Sequence, residues 1–116
     1  MTFTNEQFRL DGKVAIVTGA GGRGNSIGRA YAMGLANAGA SVVVADINEA
    51  GAQSVADEIL AGGGKAVAVK VDITDRASTV AMAAAAVAAF GGIDILVNNA
   101  ALMVEIVGPP AIQIST

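Results

Sequence analysis

The chain has 116 residues, is 53% hydrophobic and 15% charged, and carries a formal net charge of −3. That length supports one domain with one core, and that balance excludes a disordered chain. With no Cys, no His and no Lys/Arg cluster, disulfides, thiolate or imidazole metal sites, Ser-His-Asp or Cys-His nucleophiles and a nucleic-acid footprint are all excluded.

Met1–Leu10 is polar and lacks the apolar stretch of a signal peptide. Four β-branched runs then alternate with three helical patterns. The strands are predicted at Lys13–Thr18, Ser41–Asp46, Ala66–Asp72 and Ile93–Asn98. Three are almost continuously apolar, as in strands buried on both faces, while Lys70 marks the third as more exposed or near its end. The first helix is predicted over Ser26–Ala38, with Ile27, Ala30, Tyr31, Gly34, Leu35 and Ala38 as its inward stripe and Gly39 ending it. The second runs from Glu49 to Leu60, capped by Asn48, with Ala52, Val55, Ala56 and Ile59 inward. The third runs from Asp75 to Phe90, capped by Thr74, with Val80, Ala84 and Val87 on its buried side and Gly91-Gly92 stopping it. The apolar run Val80–Phe90 is too short to span a bilayer, which needs about 20 residues. No membrane partner is implied, and the cytosol is the expected location. The β-α-β-α-β-α-β order predicts an α/β fold with a Rossmann-type parallel sheet and flanking helices. Residues 101–116 contain Gly108-Pro109-Pro110 without a clear period and read as an irregular tail.

The strongest chemical signal is Thr18-Gly19-Ala20-Gly21-Gly22-Arg23-Gly24-Asn25-Ser26-Ile27-Gly28, which follows the first strand and opens the first helix. Gly19 permits a tight turn, small residues let the backbone approach a pyrophosphate, and the helix N-terminus favours its negative charge. Gly28 lets the helix pack closely on the strand. Glycine also serves such turns for purely conformational reasons. Thr18-Gly19 with Ile27-Gly28-Arg29-Ala30, led in by Leu10-Asp11-Gly12-Lys13-Val14, resembles the TGxxxGxG turn of the short-chain dehydrogenases/reductases. The separation from Gly19 to Gly28 is nine, against six in that pattern, so the loop is three residues longer and Ser26 stands at the middle glycine. Gly24 and Ser26 are candidate phosphate-loop contacts. Arg23 either reaches the pyrophosphate or faces solvent.

Asp46 ends the second strand, 18 residues beyond Gly28. A carboxylate there accepts hydrogen bonds from adenosine ribose hydroxyls and repels a 2′-phosphate, which favours NAD over NADP; the alternative is that Asp46 only opens the next turn. The family resemblance implies that Asp72 bonds the adenine amino group and that the Ile73 N–H meets the ring. Asp72 could instead cap the third helix, a role Thr74 is better placed to fill. Asn98-Asn99-Ala100-Ala101 is similar to the family's NNAG motif, with Ala101 in place of the glycine. By that resemblance Asn98 braces the sheet beside Thr18, and the backbone at Ala100 borders a cofactor ribose.

The resemblance covers Phe8 to about Ala101 and implies a sheet of order 3-2-1-4. The family's catalytic Ser and Tyr-x-x-x-Lys lie further along. Tyr31 is the single Tyr and has no Lys at that spacing, and Ser115 has no Tyr or Lys nearby. These residues are therefore expected to form an incomplete dinucleotide-binding domain with no catalytic residue of its own. The resemblance implies an oxidoreductase that transfers hydride between nicotinamide and an alcohol/carbonyl or enoyl substrate, with the small-molecule substrate bound only in a full-length form. The alternative is a non-catalytic NAD-binding module. A methyltransferase-like domain is opposed by Thr18-Gly19, the long loop and the Asn pair, and a P-loop by the lack of Gly-Lys-Ser/Thr. The fourth strand, apolar and at the sheet edge, invites pairing with another copy, so a homo-oligomer is expected.

Overall fold

The computed structural model describes residues 9–21 and 27–99. The elements are β1 (Val14–Thr18), α1 (Ile27–Asn37), β2 (Ser41–Asp46), α2 (Glu49–Ala61), β3 (Lys65–Lys70), α3 (Arg76–Phe90) and β4 (Ile95–Asn98). The four strands form one parallel sheet in the order β3-β2-β1-β4. The register sets Ile16 beside Val43 and Leu96, and Thr18 beside Ala45 and Asn98.

Strand side chains alternate between faces, so β1 and β2 supply two cores. Ala15, Val17, Val42 and Val44 pack with Ala32 of α1 and Ala52, Val55, Ala56 and Ile59 of α2. Ile16, Val43 and Ala45 pack on the other face with Val71 and with Met82 and Ala86 of α3. This double covering explains why β2 reads as an unbroken apolar run. Asn48 caps α2 as anticipated, its side chain accepting from the Gly51 N–H, and Gly39 and Gly91 end α1 and α3 with positive φ. The Arg29 guanidinium forks onto the Glu58 carboxylate and ties α1 to α2.

Several boundaries and faces differ from the sequence reading. β3 starts at Lys65 and ends at Lys70. Its ladder is carried one step further by the Val71 N–H on the Asp46 carbonyl (3.0 Å), after which the Asp72 N–H turns to the Ser78 hydroxyl (2.9 Å). β4 begins at Ile95, and just before it Asp94 is tied to β1 twice: its N–H donates to the Val14 carbonyl and its carboxylate accepts from the Val14 N–H, both at 2.8 Å.

The inward face of α1 runs through Gly28 and Ala32 rather than through Ile27 and Tyr31, and Ile27 is 68% exposed. The helix lies so close to β1 that only the smallest side chains fit between them. α3 buries Met82 and Ala86, whereas Val80 is 59% exposed and Val87 is also exposed. This helix is apolar around most of its circumference, so its sequence period carries no phase. Its cap is Asp75, whose carboxylate accepts from the Ala77 N–H at 3.0 Å, and not Thr74. Among the described residues no helix is long and apolar enough to cross a membrane.

Candidate functional site

All four strands run the same way, so Thr18, Asp46, Lys70 and Asn98 reach one edge of the sheet. From β1 the chain turns toward β2 on one side, and from β3 it crosses back to β4 on the other. The strand order reverses there, and ligands of open α/β sheets bind in the resulting crevice.

The turn after β1 is built for close approach. Gly19 has φ +70°, a conformation that side-chain-bearing residues rarely adopt. A Cβ on Gly28 would lie 2.3 Å from the Gly19 carbonyl oxygen and 2.7 Å from Asn99 Nδ2. Only glycine therefore lets the first turn of α1 reach the strand end. The first N–H groups of a helix have no partner within it, and the first turn of α1 holds no acidic residue. With no carboxylate in that turn among the described residues, the positive end of the helix suits an anion. Arg23, Gly24, Ser26 and Ala100 lie outside the described residues, whereas Ile27 opens the helix.

Thr18 is 3% exposed, and its buried hydroxyl joins β1 to β4. It donates to Asn98 Oδ1 (3.2 Å), with the Val97 carbonyl at 3.4 Å, and accepts from the Asn99 N–H (3.1 Å). The brace anticipated for Asn98 is present. Asn99 does as much, since its side-chain amide also donates to the Gly19 carbonyl at 3.4 Å. The sequence reading missed Asn99, although its signal was the Asn-Asn doublet itself.

Asp46 stands at the end of β2 with both oxygens engaged. Oδ2 accepts from the Gly21 N–H (3.0 Å) and Oδ1 from the Asn48 N–H (2.8 Å). Asp72 is likewise engaged rather than free, as Oδ1 accepts from the Thr74 hydroxyl (2.6 Å) and the Thr74 N–H (2.9 Å). These two bonds, the hydroxyl foremost, hold the Asp72 carboxyl below the usual carboxylate range. Thr74 thus serves Asp72 instead of capping α3. The Ile73 side chain packs against the α3-side core, and its N–H makes no hydrogen bond among the described residues.

A cavity of about 450 Å³ lies at the opposite end of the sheet, lined by Arg9, Asp11, Gly39, Glu58 and Lys65 among others. Arg9 pairs there with Asp11, and Glu58 with Arg29. None of the strand-end groups above borders this cavity, so the two regions are separate. No group of three or more potential metal ligands occurs among the described residues.

Comparison with known proteins places this arrangement. The family model of the short chain dehydrogenases matches residues 13–113. The 7α-hydroxysteroid dehydrogenase of Escherichia coli K12 is 50% identical over 98 residues, covering 84% of this chain and 37% of the relative. An uncharacterized oxidoreductase of Mycobacterium tuberculosis is 61% identical over 93 residues, covering 80% of this chain and 36% of the relative. Among solved structures, the hydroxysteroid dehydrogenase from Escherichia coli superposes with a TM-score of 0.79 at 49% identity, over 84% of this chain and 40% of that one. A 7α-hydroxysteroid dehydrogenase complexed with NADH and 7-oxo glycochenodeoxycholic acid does so with a TM-score of 0.76 at 47% identity, over 82% of this chain and 36% of that one. The chain therefore spans 36 to 40% of the length of these relatives.

Proposed function

Since the chain belongs to the short-chain dehydrogenase family, we propose that it forms the cofactor-holding part of an oxidoreductase that moves hydride between NAD and an alcohol/carbonyl substrate. The observation that carries this reading is the convergence of Gly19, Gly28 and Asp46 on one strand-end crevice. A relative bound to NADH supports the nicotinamide dinucleotide as cofactor.

The residues fit such a group. The crevice at Gly28 is closed to any Cβ, and the first turn of α1 carries no acidic residue that would repel a pyrophosphate. Arg23, Gly24 and Ser26 belong to the loop that would contact the phosphates, with Ile27 following. Asp46 would hold the adenosine ribose hydroxyls. An ionised carboxylate has about four acceptor positions, so the two N–H bonds it already accepts leave two for the two hydroxyls. Asp72 would accept from the adenine amino group through its second oxygen, and the unpaired Ile73 N–H would meet the ring. Asn98 would brace the sheet beside Thr18, and the backbone at Ala100 would border a cofactor ribose. The bound nicotinamide supplies the hydride acceptor or donor. Asp46 also favours NAD, because a 2′-phosphate would bring like charge against it.

Two further readings follow. The cytosol is the proposed location. Self-association is proposed through the outer edge of β4, where Leu96 is 59% exposed on an edge without charged residues.

Isothermal titration of NAD and NADP into the wild type and Asp46→Ala tests the cofactor reading. NAD binding that Asp46→Ala weakens, with little NADP binding, supports it. Equal binding of both dinucleotides, unchanged by Asp46→Ala, overturns the role of Asp46.

A further inference from the structure

Gly51 lies in the first turn of α2, where alanine would be the better helix former. Its φ is not positive, so backbone conformation does not demand a glycine. What demands it is contact. A Cβ at position 51 would lie 2.0 Å from the Gly21 carbonyl oxygen and 2.8 Å from Asn48 Nδ2. From the other side, a Cβ at position 21 would lie 2.5 Å from the Ala52 nitrogen and 2.8 Å from Asp46 Cβ. The turn after β1 and the first turn of α2 therefore meet backbone to backbone, through one glycine on each.

Asp46 sits inside this contact. The Gly21 N–H reaches Oδ2 at 3.0 Å only because the turn closes onto α2, while the Asn48 N–H holds Oδ1 at 2.8 Å. The Asn48 side chain in turn accepts from the Gly51 N–H at 3.1 Å. The result is a closed circuit of Gly21, Asp46, Asn48 and Gly51 that fixes the rotation of the carboxylate plane.

We infer that Gly51 is a positioning residue: it lets the Gly21 turn seat against α2 and thereby aims the Asp46 carboxylate at a vicinal diol, the adenosine ribose of the cofactor. This rests on the reading of Asp46 given above. Gly51 touches no ligand itself. Gly51→Ala should favour the α2 helix by propensity yet push the turn outward, breaking the Gly21–Asp46 bond. The clash lowers stability as well as affinity, and the Asp46→Ala background separates the two: an affinity loss that acts through the carboxylate disappears there, whereas one from simple damage to the fold remains.

The test is a double-mutant cycle of Gly51→Ala and Asp46→Ala, read by isothermal titration with NAD and by amide hydrogen exchange at Gly21. Gly34→Ala serves as a control, because a Cβ there would meet nothing within 4 Å. The expected result is about tenfold weaker NAD binding for Gly51→Ala, the scale of one hydrogen bond to a charged group. Gly21 exchange should be faster, Gly34→Ala should bind normally, and Gly51→Ala should cost nothing further once Asp46 is alanine. If Gly51→Ala fails to fold by circular dichroism, Gly21→Ala probes the same contact from the other side with the same expected cycle. An equal loss in the Asp46→Ala background overturns the inference, as does unchanged NAD affinity. Wild-type protein that binds no NAD overturns the cofactor reading, and this inference with it. Binding that Asp46→Ala weakens but Gly51→Ala does not overturns this inference alone.

Discussion

Gly28→Ala puts the closeness of α1 to β1 to a quantitative test. The added Cβ would lie 2.3 Å from the Gly19 carbonyl oxygen, roughly 1 Å inside an ordinary van der Waals contact. That neighbour is backbone held by the sheet, so relief requires the start of α1 to retreat. Overpacking of this kind costs about 1–3 kcal/mol, against a gain of up to about 1 kcal/mol from helix propensity. The expected net loss is about 1–2 kcal/mol, a fall in melting temperature of roughly 5–10 °C for a domain of this size. Gly34→Ala adds the same methyl to the same helix where nothing lies within 4 Å, and should stabilise by up to about 1 kcal/mol. Urea denaturation of both variants, with unchanged m-values, reads the difference. Equal stability of Gly28→Ala and Gly34→Ala would refute the argument that the glycine is held by contact with Gly19.

The phase of α3 is tested by a pair of truncations. Met82→Ala should cost about 2–4 kcal/mol by opening a cavity, and Val80→Ala under about 0.5 kcal/mol; the reverse order in denaturant melts would contradict the observed buried face. The Asp72 carboxyl is held low chiefly by the Thr74 hydroxyl. Its contribution to stability is therefore fully present above the ordinary carboxylate pKa and is lost as pH falls through the lowered folded value. Thr74→Val should raise the Asp72 midpoint in an NMR titration of its side-chain carbonyl carbon, and an unchanged midpoint would contradict that cause. Leu96→Lys places a charge on the outer strand of the sheet and should shift the protein toward monomer in analytical ultracentrifugation. Wild-type protein that sediments as a clean monomer at high concentration would remove the basis for association through β4.

The alternation of elements was legible because the strands are short, β-branched runs separated by glycine stops, whereas the order 3-2-1-4 followed from the family resemblance of the motifs and is the order observed. The Gly19/Gly28 turn was legible because a sharp turn and a close approach leave glycine as the available residue, and the place of Asp46 because it ends the apolar run of β2. The α1 stripe was misread because periodicity weights Ile27 and Tyr31 above Gly28 and Ala32, while the contact with β1 selects for smallness. The buried side of α3 could not be found by period in a helix that is mostly alanine. Thr74 and Asp75 are adjacent good caps, and the choice between them was made by Asp72, whose carboxylate takes the Thr74 hydroxyl. Gly51 carried a signal in being a glycine inside a helix, but its partner Gly21 is 30 residues away in sequence and only the fold brings them together.

The most direct test of the cofactor crevice is a map of amide chemical-shift changes as NAD is added to isotopically labelled protein. The account predicts that the changes gather at Gly19, Gly21, Gly28, Asp46–Asn48, Asp72–Ile73 and Asn98–Asn99, the residues at the carboxyl ends of the strands. Changes centred instead on Arg9, Gly39 and Lys65, which line the cavity at the other end of the sheet, would contradict it.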